Sequence, residues 1–223
     1  MWSAASIEEG GATDTLPGKR LFLGIHAVRQ CRPCTLPDPI LNKIRIVGGT
    51  HRSRLIPVPE AAGLRPTPDR VRETLFNWLG QDVDGLRCLD LFAGAGGLGF
   101  EAASRGAAAV TMVEMAPKVA SHLRETISRL QFANIRLVGG DALKFLQACQ
   151  ERFDVVFLDP PFRQDWLARL EPLVLPVLAP GARVYIEAEE PVDRFGPLRQ
   201  TRAGRAGQVH YQLLCDPLPQ EHP

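Results

Sequence analysis

The stretch Phe153-Asp-Val-Val-Phe-Leu-Asp159-Pro160-Pro161-Phe162 carries an apolar run into a carboxylate, two prolines and an aromatic ring. Two prolines fix the backbone of the loop, and its carbonyls have no strand partner to bind. A carboxylate, fixed carbonyls and an exposed ring together form a cradle for a planar amino group. A strand-ending proline turn is the plainer alternative. A second cluster, Cys88-Leu-Asp90-Leu-Phe92-Ala-Gly94-Ala-Gly96-Gly-Leu-Gly99, spaces Gly94, Gly96 and Gly99 as G-x-G-x-x-G. That spacing lets a backbone turn tightly and approach a bound nucleotide. The glycines alone do not separate a dinucleotide such as NAD from S-adenosyl-L-methionine (SAM).

Asp90 bears on that choice. It lies four residues before Gly94, at the end of the preceding strand. A carboxylate there would repel a pyrophosphate, which an NAD site seats on the helix N-terminus. Beside a sulfonium and an α-ammonium it would be favoured, so Asp90 points toward SAM. Glu114, 20 residues past Gly94, suits ribose hydroxyls in either cofactor. Asp141, in Gly140-Asp141-Ala142, can accept a bond from an adenine amino group, cap the next helix, or do both.

These residues need a frame that brings them together. From Leu86 onward, short apolar runs alternate with helical stretches. Strands are predicted near 86–91, 109–114, 135–139, 153–158 and 182–188, and helices near 97–105, 117–131, 141–149 and 164–178. A final strand pair is predicted at 198–203 and 207–215. The alternation marks an α/β fold, a doubly wound parallel sheet whose ligands sit beyond the carboxyl ends of the strands. Ahead of it, residues 43 to 58 read as a β-hairpin or two short strands interrupted at Gly48-Gly49. Val71, Leu75, Trp78 and Leu79 then recur at helical spacing, with Thr67 as the expected cap and Pro68 as the first helical residue. The expected domains are a disordered tail at 1–42, a hairpin and helix extension at 43–82, the main α/β domain at 83–216 and a short tail at 217–223.

Bulk properties exclude some classes. The chain has 223 residues and a formal net charge of +1, so a basic partner surface must come from local clusters. Lys43, Arg45, Arg52, Arg54, Arg65, Arg70 and Arg72 form one cluster, and Arg194, Arg199, Arg202 and Arg205 a second. Either can contact phosphates or form a solvated face. No apolar run reaches the ~20 residues of a membrane span. The five cysteines are odd in number and sparse, which predicts a reducing, cytoplasmic setting. Cys31-Arg-Pro-Cys34 is a lone pair with no partner pair for zinc, and no metal site is expected.

Asp-Pro-Pro-Phe after the fourth strand, with "FAGAGGLGFEA", resembles the SAM-dependent methyltransferases that act on amino groups of bases or of glutamine. Phe92 stands where many relatives of that fold carry glycine. More narrowly, "IRIVGGTHRSRLIPVP", "LRPTPDRVRETLFNWL", "CLDLFAGAGGLGFEAASRGA" and "FLDPPF" resemble the bacterial 16S ribosomal RNA guanine-N2 methyltransferases that modify one guanine in the 30S head. The resemblance spans about residues 43 to 215. It implies SAM as methyl donor, a guanine N2 in 16S rRNA as acceptor, a largely assembled 30S particle as substrate and a monomeric enzyme. Carried over, Asp90, Phe92, Gly94 and Gly96 line the methionine side, Glu114 takes the ribose and Asp141 the adenine. Asp159, Pro160, Pro161 and Phe162 hold the guanine. Arg65 and Thr67 help close the pocket. Independently of the resemblance, Arg52 and Arg54, in the basic connection of the hairpin, are expected to contact RNA phosphates. The rivals are an adenine-N6 methyltransferase, an NAD-dependent oxidoreductase disfavoured by Asp90, and a non-catalytic SAM- or RNA-binding module.

Overall fold

Strands buried on both faces should read as near-continuous apolar runs. Phe153–Leu158 and Ala109–Glu114 come close to this, and they flank the short strand Arg87–Asp90, whose last three residues are buried near the centre of the sheet. The computed structural model describes residues 42–59, 61, 64, 66–162 and 164–216. All the described residues belong to one compact unit, Asp38–Pro223. The predicted tails, the Cys31–Cys34 pair and Arg65 lie outside the described residues.

In chain order the elements are β1 (Asn42–Arg45), β2 (Leu55–Val58), α1 (Asp69–Trp78), β3 (Arg87–Asp90), α2 (Gly97–Ser104), β4 (Ala109–Glu114), α3 (Pro117–Leu130) and β5 (Ile135–Gly139). They continue with α4 (Ala142–Ala148), β6 (Phe153–Leu158), α5 (Trp166–Val174), β7 (Leu178–Ala188), β8 (Arg194–Phe195), β9 (Leu198–Ala206) and β10 (Val209–Cys215). The main sheet has eight strands in the order β5-β4-β3-β6-β7-β10-β9-β8. The first five are parallel, and the last three add antiparallel strands on the β7 side. Strand order reverses between β3 and β6, the place where this architecture opens a ligand crevice. The expected doubly wound sheet is present. The two-residue strand β8 and the early start of β7 at Leu178 were not expected.

Side chains alternate between the two faces of each strand. Cys88, Val155, Phe157 and Tyr185 face the core beneath α1 and α2, while Leu89, Val156, Leu158 and Ile186 face the core beneath α4 and α5. The hairpin β1–β2 forms its own two-stranded sheet and packs Ile44, Ile46, Ile56 and Val58 into the first of these cores. Its connection folds back on the helix ends. Gly49, at φ 75°, sits so close to the Ser104 carbonyl that a Cβ would fall 1.8 Å from it. The Thr50 amide donates to that carbonyl at 2.7 Å, and the His51 ring stacks on Phe132 with centroids 4.0 Å apart.

Two sequence expectations are corrected in this region. Thr67 does not cap α1: Pro68 takes the cap position and the Thr67 hydroxyl goes elsewhere. Arg72, read as one of a basic surface cluster, is fully buried. It donates to the carbonyls of Thr67 and Arg45 and to Asp69, and its Nε lies 3.9 Å from the buried Glu101. Glu101 in turn accepts the amides of Val47 and Gly48, both at 2.8 Å, and the Arg105 side chain at 2.7 Å. Burial lowers the Arg72 pKa and the nearby carboxylates oppose that shift. This polar knot ties the hairpin, α1 and α2 together through hydrogen bonds from Arg72 to Arg45 and from Val47 and Gly48 to Glu101, while the buried Arg72 Nε has only the charge of Glu101 at 3.9 Å.

Candidate active site

Asp90 ends β3, Asp159 follows β6, and Glu187 lies near the end of β7. These are three adjacent strands, and the alternation of side chains sends all three carboxylates to the same face, above Cys88, Phe157 and Tyr185. Leu158 pairs with Ile186, so Asp159 and Glu187 are the next rung on neighbouring strands. Burial pushes the Asp90 carboxyl up to about 7, with the Gly99 amide at 2.9 Å opposing the shift. Asp159 is raised well above the ordinary range by burial and then by the charges of Glu187 and Asp90. Glu187 is raised by burial, against two hydrogen bonds that favour its charge: Tyr185 Oη at 2.9 Å and Thr67 Oγ1 at 3.1 Å, both on one carboxylate oxygen. Crowded buried carboxylates of this kind favour a cation or a shared proton.

A cavity of about 530 Å³ opens at the carboxyl ends of these strands. Asp90, Phe92 and Gly94 line one part of it. Gly94 has φ 50° and donates its amide to Glu114 Oε2 at 2.9 Å, while Glu114 Oε1 accepts the Ala116 amide at 2.7 Å. Glu114 therefore shapes the glycine turn as well as lining the cavity. Asp141 also lines it and caps α4 by accepting the Lys144 amide at 2.9 Å, so the capping role foreseen for it is present. Asp159, Pro160, Pro161 and Phe162 stand along the wall, with Thr67 among them.

Ten of the residues singled out in the sequence thus meet in one cavity. Gly96 does not line it. At φ 83° a Cβ there would come within 2.4 Å of Phe100, so this glycine serves the packing of α2. Arg52 and Arg54 are also apart from it. Their loop docks on Ser104 and Leu130, the last residues of α2 and α3, whereas the cavity is lined by the first turns of those helices. Three neighbours of the site were missed. Trp166 lines the cavity and meets Phe92 edge-on at 5.2 Å. Glu187 and Tyr185 form the second layer behind Thr67 and Asp159. Their signal was a glutamate two residues after a tyrosine on an otherwise apolar strand.

Residues 44–215 match the family model described as Conserved hypothetical protein 95. The chain is 46% identical over 179 residues to ribosomal RNA small subunit methyltransferase D of Escherichia coli K12, covering 77% of this chain and 89% of that protein. It is 40% identical over 180 residues to the protein of that name from Haemophilus influenzae, covering 77% and 93%. The chain belongs to this methyltransferase family. A solved E. coli methyltransferase, yhhF, superposes with a TM-score of 0.71 at 43% identity, over 78% of this chain and 98% of that one. The family and fold expected from the motifs are borne out, and the matched range agrees closely with the 43–215 read from the sequence.

Proposed function

We propose that the chain transfers the methyl group of SAM to the exocyclic N2 of one guanine in 16S rRNA, within a largely assembled 30S particle. The observation that carries this reading is the meeting of two chemistries in one cavity. Asp90, Glu114 and Asp141 offer acceptors for a cationic nucleoside, and Asp159 to Phe162 offer a cradle for an amino-bearing base. SAM fits the first set: Asp90 is a fully buried carboxylate held near neutrality by desolvation, and a neighbouring positive charge would favour its ionised form. SAM supplies an electrophilic methyl carbon.

The chain's residues do the rest. A guanine N2 lone pair is delocalised into the ring and is a poor nucleophile. Asp159 and the Pro160 carbonyl can each accept one N–H bond, which draws the nitrogen toward a tetrahedral shape and frees the lone pair. Phe162 stacks on the base, and the two prolines keep the acceptors fixed. Positioning of this kind supplies much of an enzyme's acceleration. The base must leave its stack to enter, at a cost of a few kcal/mol.

Cations for RNA lie at the same end. Arg205 on β9 pairs with His210, and His210 with Ala188, next to Glu187. Arg202 and Arg205 are exposed. Cys88, Cys149 and Cys215 are free thiols, which supports a reducing cytoplasm. The test is incubation with labelled SAM and unmodified 30S particles, naked 16S rRNA or DNA, followed by mapping of the methylated nucleoside. N2-methylguanine in the particle supports the reading; N6-methyladenine or no product overturns it.

A further inference from the structure

Glu187 has no role in the mechanism above, yet it is a buried carboxylate one rung from Asp159. Its surroundings are specific. Thr67, in the cavity wall, donates its hydroxyl to Glu187 at 3.1 Å across 120 residues of sequence. Tyr185, two residues away on β7, donates to the same oxygen at 2.9 Å. The Thr67 carbonyl is held from the other side by Arg72 at 3.1 Å. The groups facing Glu187 are therefore Asp159 after β6, Asp90 beyond it on β3, Tyr185 on β7, Tyr211 opposite on β10 and Thr67 from the approach to α1. A hydrophobic side chain would fill this space without the cost of a buried charge. A glutamate there has two visible effects: it fixes Thr67, and it sets a like charge beside Asp159.

We propose that Glu187 is a positioning residue of the methyl transfer, which orients Thr67 and Asp159 against the base and shares with Asp159 the proton that N2 gives up. This rests on the guanine-N2 reading. In the step, the N2 lone pair forms the new N–C bond and the C–S pair stays with sulfur. The surplus N2 proton passes to the Asp159 carboxylate, and the pair returns it to solvent when product leaves. Two neighbouring carboxylates that hold one proton between them titrate as a unit. Removing the charge of Glu187 therefore lets Asp159 ionise at lower pH.

The test uses the full chain with Glu187→Gln, Thr67→Val and Tyr185→Phe. SAM affinity is measured by calorimetry, and kcat and KM on unmodified 30S particles across a pH series. In Glu187→Gln, SAM affinity and KM should stay as in the wild type. Its plateau kcat should fall roughly 10- to 100-fold, the scale of a misplaced reacting group. The acidic limb of its kcat profile should move to lower pH. Thr67→Val and Tyr185→Phe each remove one donor that favours the Glu187 charge, so their limbs should move in the same direction by less. If Glu187→Gln is not folded by circular dichroism, these two variants decide the matter. An active wild type with all folded variants superposing on its profile overturns the proposal alone. A wild type that forms no N2-methylguanine overturns the guanine reading and this proposal together.

Discussion

Asp90 accepts the Gly99 amide at 2.9 Å, which joins the last residue of β3 to the first turn of α2 through one carboxylate oxygen. The carboxyl nonetheless rises to about 7 because it is buried. With a folded pKa above the unfolded one, near ~4, the ligand-free fold binds a proton that the unfolded chain has lost. Its stability therefore falls as pH climbs from the ordinary carboxylate range to about 7, and this group adds no further change above that. A bound cation favours the ionised form, so SAM affinity should rise with pH through the same window, with proton release. Calorimetry in buffers of different ionisation enthalpy reads the proton directly. Asp90→Asn should flatten the dependence, and a flat wild-type profile would separate Asp90 from the cation.

Glu114 holds two amides, Gly94 and Ala116, one on each oxygen. Glu114→Ala loosens the glycine turn and, on the proposed reading, also removes an acceptor for the ribose. SAM binding should weaken by roughly 1–3 kcal/mol, the cost of leaving buried polar groups unpaired. Unchanged affinity in a calorimetric titration would show that the nucleoside lies elsewhere.

If Asp159 holds the base as proposed, Asp159→Ala should nearly abolish turnover while SAM still binds. Phe162→Ala should lower turnover through lost stacking worth ~1–3 kcal/mol. Single-turnover methylation alongside SAM calorimetry checks both. Near-normal rates in Asp159→Ala would remove the loop from the chemistry.

The Arg72–Glu101 knot predicts an asymmetry in stability. Glu101→Gln removes the buried carboxylate beside Arg72 and Arg105, leaving Arg72 with the half-exposed Asp69 at 2.8 Å, and turns an amide donor toward the Val47 or Gly48 N–H. That should cost about 3–5 kcal/mol in urea unfolding. Arg72→Met should cost less, because Glu101 keeps Arg105 at 2.7 Å. Equal losses would mean the two groups do not act as a pair.

The arginines predict different salt responses. Arg205 stands at the cavity end of β9 and Arg202 three residues further along the same strand, whereas Arg52 and Arg54 stand on the loop docked at the far ends of α2 and α3. Replacing Arg202 and Arg205 with Ala should lower the log–log salt slope of 30S binding by roughly 0.7–0.9 per lost phosphate contact. Replacing Arg52 and Arg54 should change it less. A salt series on the two double variants decides which surface meets RNA, and the reverse order would assign the approach to the hairpin.

The frame was legible because parallel strands buried on two faces leave apolar runs. β4 and β6 have the residues expected of them, 109–114 and 153–158, and the partly exposed edge strand β5 also lies at its expected 135–139. The reactive types were legible because carboxylates and glycines interrupt those runs at strand ends. What was hidden depends on pairing between distant segments. Thr67 looked like a cap because a threonine stands just before a proline, but its hydroxyl answers to Glu187, far along the chain. Arg72 looked like a surface cation among others, but Glu101 and Asp69 draw it inside. Glu187 gained meaning only from the β6–β7 register, which no local pattern specifies.

The docking of the hairpin connection bears on how the chain comes apart. The Val47 and Gly48 amides end on Glu101, the Thr50 amide ends on Ser104, and Ile44, Ile46 and Ile56 share a core with α1 and the central strands. The hairpin cannot peel away as a free arm while α2 stays folded, because peeling strands the Glu101 carboxylate without its backbone donors. Segments linked in this way open as one cooperative unit, so their amides exchange with solvent on the timescale of that larger opening. The hairpin thus melts with the enzyme's cofactor fold, so the buried amides of its strands should exchange no faster than those of the central domain.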